Sequence, residues 1–84
     1  MNLDGKYDLN FYPNPTTGLL YLQGKLNRSY VLKIYTLDGI MLKDELISVD
    51  DEIDISNLPS GLFIYYIIDD NTVITIGKLT KIEN

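Results

Sequence analysis

The longest uncharged apolar run in the chain is the feature that most constrains its fold. The run spans residues 62–68, reads LFIYYII, and follows a turn signal in which Pro59 fixes φ and Gly61 permits a tight reversal. β-branched and aromatic side chains dominate it, which favours a pleated strand over a helix. Such a strand normally lies in the centre of a sheet, so the rest of the chain has to cover its faces.

Shorter segments with alternating apolar and polar residues surround this run. Because turn residues separate them at near-regular spacing and helical periodicity is missing, they predict an all-β fold, a small immunoglobulin-like antiparallel β-sandwich of about seven strands. The Cys–Trp–Cys pattern of antibody domains is absent, since the chain has neither residue type. The predicted strands are residues 7–11, 19–22, 30–36, 40–46, 53–55, 62–68 and 73–82.

Two glycines give local expectations. The sequence Leu-Asp-Gly-Ile at residues 37–40 is typical of a hairpin, because Asp-Gly suits the positive φ values of a tight turn. Gly77 interrupts the last strand, and a bulge there would place Ile74, Ile76 and Leu79 on one face.

The central run divides into two faces with a period of two. Phe63 is expected to be buried opposite Leu32 and Ile34, while Lys33 faces outward. Three large apolar side chains project to the other side, where a monomeric sandwich would normally carry polar residues. We therefore expect that face to be covered by a second chain in a weak homodimer, by an upstream domain or by a partner protein. The alternative is that tyrosines and lysine stems of the neighbouring strands cover it. The candidate interface residues are Ile64, Tyr66 and Ile68.

Composition excludes several classes of function. Eighty-four residues make one small domain, and a net charge of −5 argues against binding to nucleic acid or to an anionic membrane surface. The chain has no histidine and no cysteine, so the commonest general base, the commonest transition-metal ligands and thiol chemistry are missing. No apolar run approaches the length of a membrane-spanning helix. We predict neither an enzyme nor a cofactor or metal site.

Two residue groups leave an alternative open. Asp50, Asp51, Glu52 and Asp54 could form an acid/base pair or a Ca²⁺ site, but a charge run before a strand is more often a solvated loop. The seven tyrosines could form a platform on which a sugar stacks, although tyrosines spread over several strands are more often core and sheet-face residues.

Four segments, in fixed order, resemble the type A C-terminal sorting domain of the type IX secretion system, the Por secretion tail family. Residues 12–18, reading YPNPTTG, are similar to its opening motif, and residues 30–39, YVLKIYTLDG, to its central strand and hairpin. Residues 53–67, IDISNLPSGLFIYYI, resemble its Leu-x-x-Gly-x-Tyr segment, with Phe63 in place of the usual tyrosine. Residues 77–82, GKLTKI, look like its short basic and apolar ending. The resemblance covers residues 9–82.

The resemblance implies a secretion address without catalysis of its own. Such domains follow large secreted enzymes and adhesins of Bacteroidota, pass through the periplasm, and are delivered through the outer-membrane translocon to the cell surface or medium. A sortase-like protease commonly removes the tail, which here would mean cleavage in or before residues 1–8. Residues 1–6 would be the linker to the upstream cargo, and residues 7–84 the sorting domain. The alternative is an accessory β-sandwich that binds carbohydrate or spaces the domains of an extracellular enzyme.

The same motifs supply the residues that the export machinery is expected to recognise. Lys78 and Lys81, read as exposed cations in an acidic domain, are expected to contact an acidic groove on the machinery. The candidate recognition residues are Pro13, Asn14, Pro15, Gly18, Gly61, Lys78, Leu79 and Lys81.

Overall fold

The computed structural model describes residues 8–25 and 27–83 and contains seven β-strands. The strands connect through short turns, as the regular spacing of turn residues predicts. In chain order they are β1 (Asn10–Tyr12), β2 (Leu19–Gln23), β3 (Ser29–Tyr35), β4 (Met41–Ser48), β5 (Glu52–Asp54), β6 (Gly61–Asp69) and β7 (Thr72–Lys81).

The strands form two sheets that make an immunoglobulin-like sandwich. One sheet has three strands in the order β1-β2-β5, and the other has four in the order β4-β3-β6-β7. Every pair of neighbouring strands is antiparallel. The apolar run lies in β6, between β3 and β7, so its predicted central position is confirmed.

The core fills the space between the inner faces of the two sheets, and both sheets contribute to it. Its side chains alternate along the strands as the sequence predicts, with outward-facing residues between them. Phe11 of β1 meets Tyr65 of β6 edge to face, with ring centroids 4.9 Å apart. The buried apolar residues are Leu9, Phe11, Leu20, Leu22, Tyr30, Leu32, Ile34, Ile47, Ile53, Ile55, Phe63, Tyr65, Ile67 and Leu79.

Phe63 is buried, as expected, but its position relative to Leu32 and Ile34 was predicted wrongly. The three side chains share one face of one sheet instead of facing each other across the core. Leu32 pairs with Ile67, whereas Phe63 pairs with Leu79 of β7. Strand parity alone assigns a side chain to a face and says nothing about which strand lies beside it.

All seven strands differ from the predicted bounds, most of them by a single residue at an end, and the differences at β1, β4 and β5 matter most. β1 begins at Asn10, because Asp8 has a positive φ of 48° that interrupts the extended backbone; the predicted start at residue 7 lies outside the described residues. β4 runs from Met41 to Ser48, and β5 begins at Glu52, so only residues 49–51 remain as the predicted acidic turn.

The bulge in β7 is at Ile74, and the prediction that Gly77 forms it is wrong. Ile67 pairs with Thr75 and Ile68 with Val73, which leaves Ile74 as the extra residue. Ile76 consequently faces outward and is 63% exposed, on the side opposite the buried Leu79. Gly77 continues the ladder without a break.

Candidate recognition site

The turn after β1 binds the last strand of the chain, although the two are far apart in sequence. The side-chain amide of Asn14 donates to the carbonyl oxygen of Lys78 at 2.9 Å. The backbone N–H of Thr80 donates to Oδ1 of Asn14 at 3.1 Å. One asparagine therefore reproduces the two hydrogen bonds that a neighbouring strand would make with this part of β7.

Thr16 extends this contact with its backbone. Its N–H donates to the carbonyl of Thr80 at 2.9 Å, and its carbonyl accepts from the N–H of Ile82 at 2.8 Å. Thr16 and Lys81 form a short parallel bridge. The threonine hydroxyl, which is buried, donates to the carbonyl of Leu19 at 2.6 Å and accepts from the N–H of Gly18 at 3.1 Å. We call residues 13–18 with residues 78–82 the clasp.

The clasp covers one half of an exposed sheet edge. β7 is the outer strand of the four-stranded sheet, so within residues 8–25 and 27–83 no strand of either sheet pairs with its outward N–H and C=O groups. Unpaired edges invite pairing with other chains, and proteins normally cover or disrupt them. Here Asn14 and Thr16 occupy the C-terminal half of the edge, and the bulge at Ile74 disrupts the other half.

Two glycines of the candidate set also lie at this end of the sandwich. Gly61, at the start of β6, pairs with Lys81. Gly18 packs closely on the chain that follows β5, because a Cβ at Gly18 would lie 3.3 Å from Cβ of Ser56. The carbonyl oxygen of Gly18 accepts a hydrogen bond from the N–H of Ile55 at 2.8 Å. All eight candidate recognition residues thus belong to one end of the molecule, which the sequence order alone did not reveal.

The exposure of these residues divides them into two groups. Gly18, Leu79 and Lys81 are buried, and Lys81 is only 9% exposed, so the expectation of an exposed cation there is wrong. They can shape the site but offer little surface to a partner. The members on the surface are Pro13, Asn14, Pro15, Gly61 and Lys78.

The candidate interface residues lie together on the outer face of the four-stranded sheet. Ile64, Tyr66 and Ile68 are each half-buried, and Tyr66 meets Tyr35 of β3 edge to face at 5.4 Å. Cross-strand pairing extends this face to residues that the sequence analysis did not assign to it, because that assignment requires the register of three strand pairs. They include Leu46, Val73 and Ile76.

The carboxylates near β5 are engaged locally. Oδ1 of Asp54 accepts from the N–H of Ser56 at 2.8 Å, and hydrogen bonding by Ser56 lowers the pKa of that carboxyl below its usual value. The hydroxyl of Tyr21 donates to Glu52 at 3.2 Å, which raises the pKa of the phenol. Among residues 8–25 and 27–83, no group of acidic side chains is arranged to hold a metal ion.

The tyrosines within the described residues divide between the core and the sheet faces, and Tyr7 lies outside those residues. Tyr30 and Tyr65 are buried, and burial raises the pKa of the Tyr65 phenol. Tyr12 and Tyr21 are cross-strand partners on the outer face of the three-stranded sheet, with centroids 5.6 Å apart and planes tilted by 33°. These four positions agree with the prediction that the tyrosines are core and sheet-face residues.

Fold and site together define a small antiparallel β-sandwich in which an N-terminal turn is hydrogen-bonded to the last strand. The part of the chain that the structure describes has no helix long and apolar enough to cross a membrane. Residues 10–82 match the family model described as the secretion system C-terminal sorting domain. The chain therefore belongs to this family of type IX sorting signals, which is not a family of enzymes. No curated protein matches the chain.

Membership defines the general role. A sorting signal of this family is a tail fused to a cargo protein, and it interacts with the type IX secretion machinery. Its cargo is exported across the outer membrane to the cell surface or the extracellular space.

Proposed function

We propose that the export machinery recognises this domain at the clasp end of the sandwich and that a sortase-like protease then removes it from its cargo. The domain itself has no catalytic activity in this proposal. The observation that carries it is the convergence of the family's opening and closing motifs, through Asn14 and Thr16, on one end of a folded domain.

The clasp suits recognition of the folded state. Its hydrogen bonds join residues 64 and 66 positions apart, so they exist only when the whole sandwich has formed. A partner that contacts Pro13, Asn14 and Lys78 at the same time would discriminate folded from unfolded cargo tails, because the unfolded chain does not bring these residues together. The buried Leu79 and Lys81 would hold this surface in shape.

Cleavage belongs upstream of the sandwich. β1 begins at Asn10, and a protease that cut within the strands would have to open a hydrogen-bonded sheet first. We place the cleaved bond in or before residues 1–8, which leaves the cargo on one side and the intact sandwich on the other. The cargo would then remain at the cell surface or pass into the medium.

An export assay tests this proposal. Residues 1–84 are fused to a reporter that carries an N-terminal signal peptide, in a Bacteroidota host with the type IX system. We expect the fused reporter at the surface or in the medium, and a tailless reporter in the periplasm. Export of the tailless reporter at the same level would favour the accessory-module alternative instead.

Two variants in the same assay distinguish loss of recognition at the clasp from loss of the fold. Asn14→Ala removes both side-chain bonds to β7, whereas Lys25→Ala, on a loop away from the clasp, serves as the matched surface control. If recognition uses the clasp, the Asn14 variant loses export while its purified domain still melts cooperatively. Export equal to that of the control would place recognition elsewhere on the sandwich.

A further inference from the structure

The outer face of the four-stranded sheet carries rows of apolar side chains across all four strands. One row consists of Leu46, Val31, Ile68 and Val73, aligned by the register of three consecutive strand pairs. In the next row Tyr66 pairs with Ile76. Leu46 and Ile76 are 67% and 63% exposed, and Val73 is 44% exposed. A face of this kind is more apolar than one that only meets water.

The face is concave in its middle. Tyr35 and Tyr66 border a depression of about 510 Å³ whose floor includes Ile64 and Ile68. Lys33 lies at the same depression, and Lys78 pairs with Ile64 beside it. An inserted apolar side chain would therefore contact aromatic and aliphatic groups beside Lys33, with Lys78 on the strand next to Ile64.

The charge on this face is opposite to that of the chain. The domain has a net charge of −5, yet neither Lys33 nor Lys78 forms an ion pair with another described residue. Asp44 is the cross-strand neighbour of Lys33 and shares the face, but no ion pair joins the two. The four strands of the face thus carry one more positive than negative charge, while Asp38 and Asp70 lie in the turns at its two ends. A partner whose carboxylates reach the middle of the face would be complementary to it.

We propose that this face docks a component of the export machinery that presents apolar side chains and carboxylates, with the carboxylates directed to Lys33 and Lys78. The inference rests on the proposed function, since it assigns a second contact surface for the same machinery. Lys78 links the two surfaces: its backbone carbonyl belongs to the clasp, and its side chain belongs to the outer face.

The other candidate occupants fit less well. Four strands of about eight residues give a face of roughly 500 Å². Each partner in a stable complex buries about 800 Å², so this face suits a transient docking contact better than a permanent dimer. A second copy would also bring the same excess of positive charge onto its counterpart. The cargo joins the chain before β1, which belongs to the other sheet. An anionic membrane would meet Asp38 and Asp70 in the hairpin turns at the two ends of the face.

The test uses the reporter fusion with two pairs of variants. Lys33→Glu combined with Lys78→Glu reverses the charge at these two positions. Lys33→Arg combined with Lys78→Arg keeps the positive charge of the wild type. Leu46→Thr combined with Ile76→Thr removes apolar surface from positions that are already exposed, so the fold is retained. Lys25→Glu, at an exposed residue outside this face and outside the clasp, is the matched control.

We expect the charge-reversed and threonine variants to lower export by about tenfold each, with the arginine variant and the Lys25→Glu control near the wild-type level. Thermal melts of the purified domains confirm that the variants fold. If the tailless reporter stays in the periplasm but the folded face variants export normally, the docking proposal is overturned and the sorting function stands. Export of the tailless reporter would instead overturn the sorting function.

Two binding measurements separate the remaining occupants. Sedimentation of the wild-type domain at high concentration is expected to show a monomer, and a dimer that the Leu46→Thr, Ile76→Thr variant abolishes would assign the face to a second copy. Flotation with vesicles of equimolar phosphatidylglycerol and phosphatidylcholine is expected to leave the domain unbound. Vesicle binding that the same variant abolishes would assign the face to a lipid surface and overturn the proposal.

Discussion

Gly77 lies directly beneath the ring of Tyr65, its partner on the neighbouring strand. A Cβ placed on Gly77 would come within 2.5 Å of Cζ and of the hydroxyl oxygen of Tyr65. The ring is buried and packs against Phe11, so it has little room to move away. The glycine in this strand is therefore explained by the close approach of a side chain and not by a bulge.

Gly77→Ala is expected to destabilise the domain by about 1–3 kcal/mol, as overpacked core positions do. Urea denaturation measures the change in the free energy of unfolding. The same substitution in a Tyr65→Leu background is the control, because the shorter side chain leaves room for the new methyl group. An equal cost in both backgrounds would show that the contact with Tyr65 is not the cause.

Asn14→Ala is expected to destabilise the domain by about 1–3 kcal/mol, since it removes two hydrogen bonds worth roughly 0.5–1.5 kcal/mol each. Asn14→Asp keeps the acceptor for Thr80 but directs a carboxylate oxygen at the carbonyl of Lys78, so it should not restore the loss. Thermal melts compare the two variants with the wild type. Wild-type stability of the aspartate variant would mean that only the bond from Thr80 matters.

Lys78 and Lys81 are expected to respond differently to charge reversal. Lys78→Glu changes an exposed side chain and should alter stability by less than about 0.5 kcal/mol. Lys81→Glu places a carboxylate at a position that is 9% exposed, and it should lower the free energy of unfolding by about 1–3 kcal/mol. Denaturant melts of the two single variants measure the difference, and equal costs would mean that the Lys81 position readily admits a carboxylate.

Asp54 is expected to contribute to acid sensitivity. Hydrogen bonding from Ser56 lowers its pKa in the folded state below the usual 3.8, so the unfolded chain binds the proton more readily. The contribution is fully present above pH 3.8 and is lost as the pH falls through the lower, folded-state pKa. Asp54→Asn should flatten the decline in stability below that pH in a series of urea melts. If the free energy of unfolding falls equally with pH in the variant and the wild type, the Asp54 carboxyl does not contribute to the acid sensitivity.

The sequence predicted the sandwich well where burial alternates strictly. In β2 and β3 every second residue, such as Leu20, Leu22, Leu32 and Ile34, is fully buried, so a period of two was enough to assign their faces. The hairpin at Asp38-Gly39 was also predicted, although only Gly39, with a φ of 94°, has a positive φ there. These features depend on neighbouring residues only, which is why a single sequence contains them.

Long-range geometry could not be predicted in the same way. The bulge at Ile74 has no local signal, because neither glycine nor proline occurs there. Asn14 looked like a turn residue, and nothing in its surroundings indicated that its amide would bind residues more than sixty positions away. The family resemblance placed the two motifs in one domain, but only the fold shows that they touch.

The parallel bridge between Thr16 and Lys81 has a mechanical consequence. Thr16 and Lys81 lie in parallel segments, so a force that pulls the chain before Thr16 away from the chain after Lys81 acts along these segments. The two backbone hydrogen bonds of Thr16 to β7 and Ile82 are then loaded in shear at the same time. A cargo pulled against a tail held at its far end would load the sandwich in this direction. Stretching single molecules between residues 1 and 84 should reveal a force peak that Asn14→Ala lowers, whereas Lys25→Ala leaves it unchanged. The short contact at Thr16 would then be the point at which the domain resists traction.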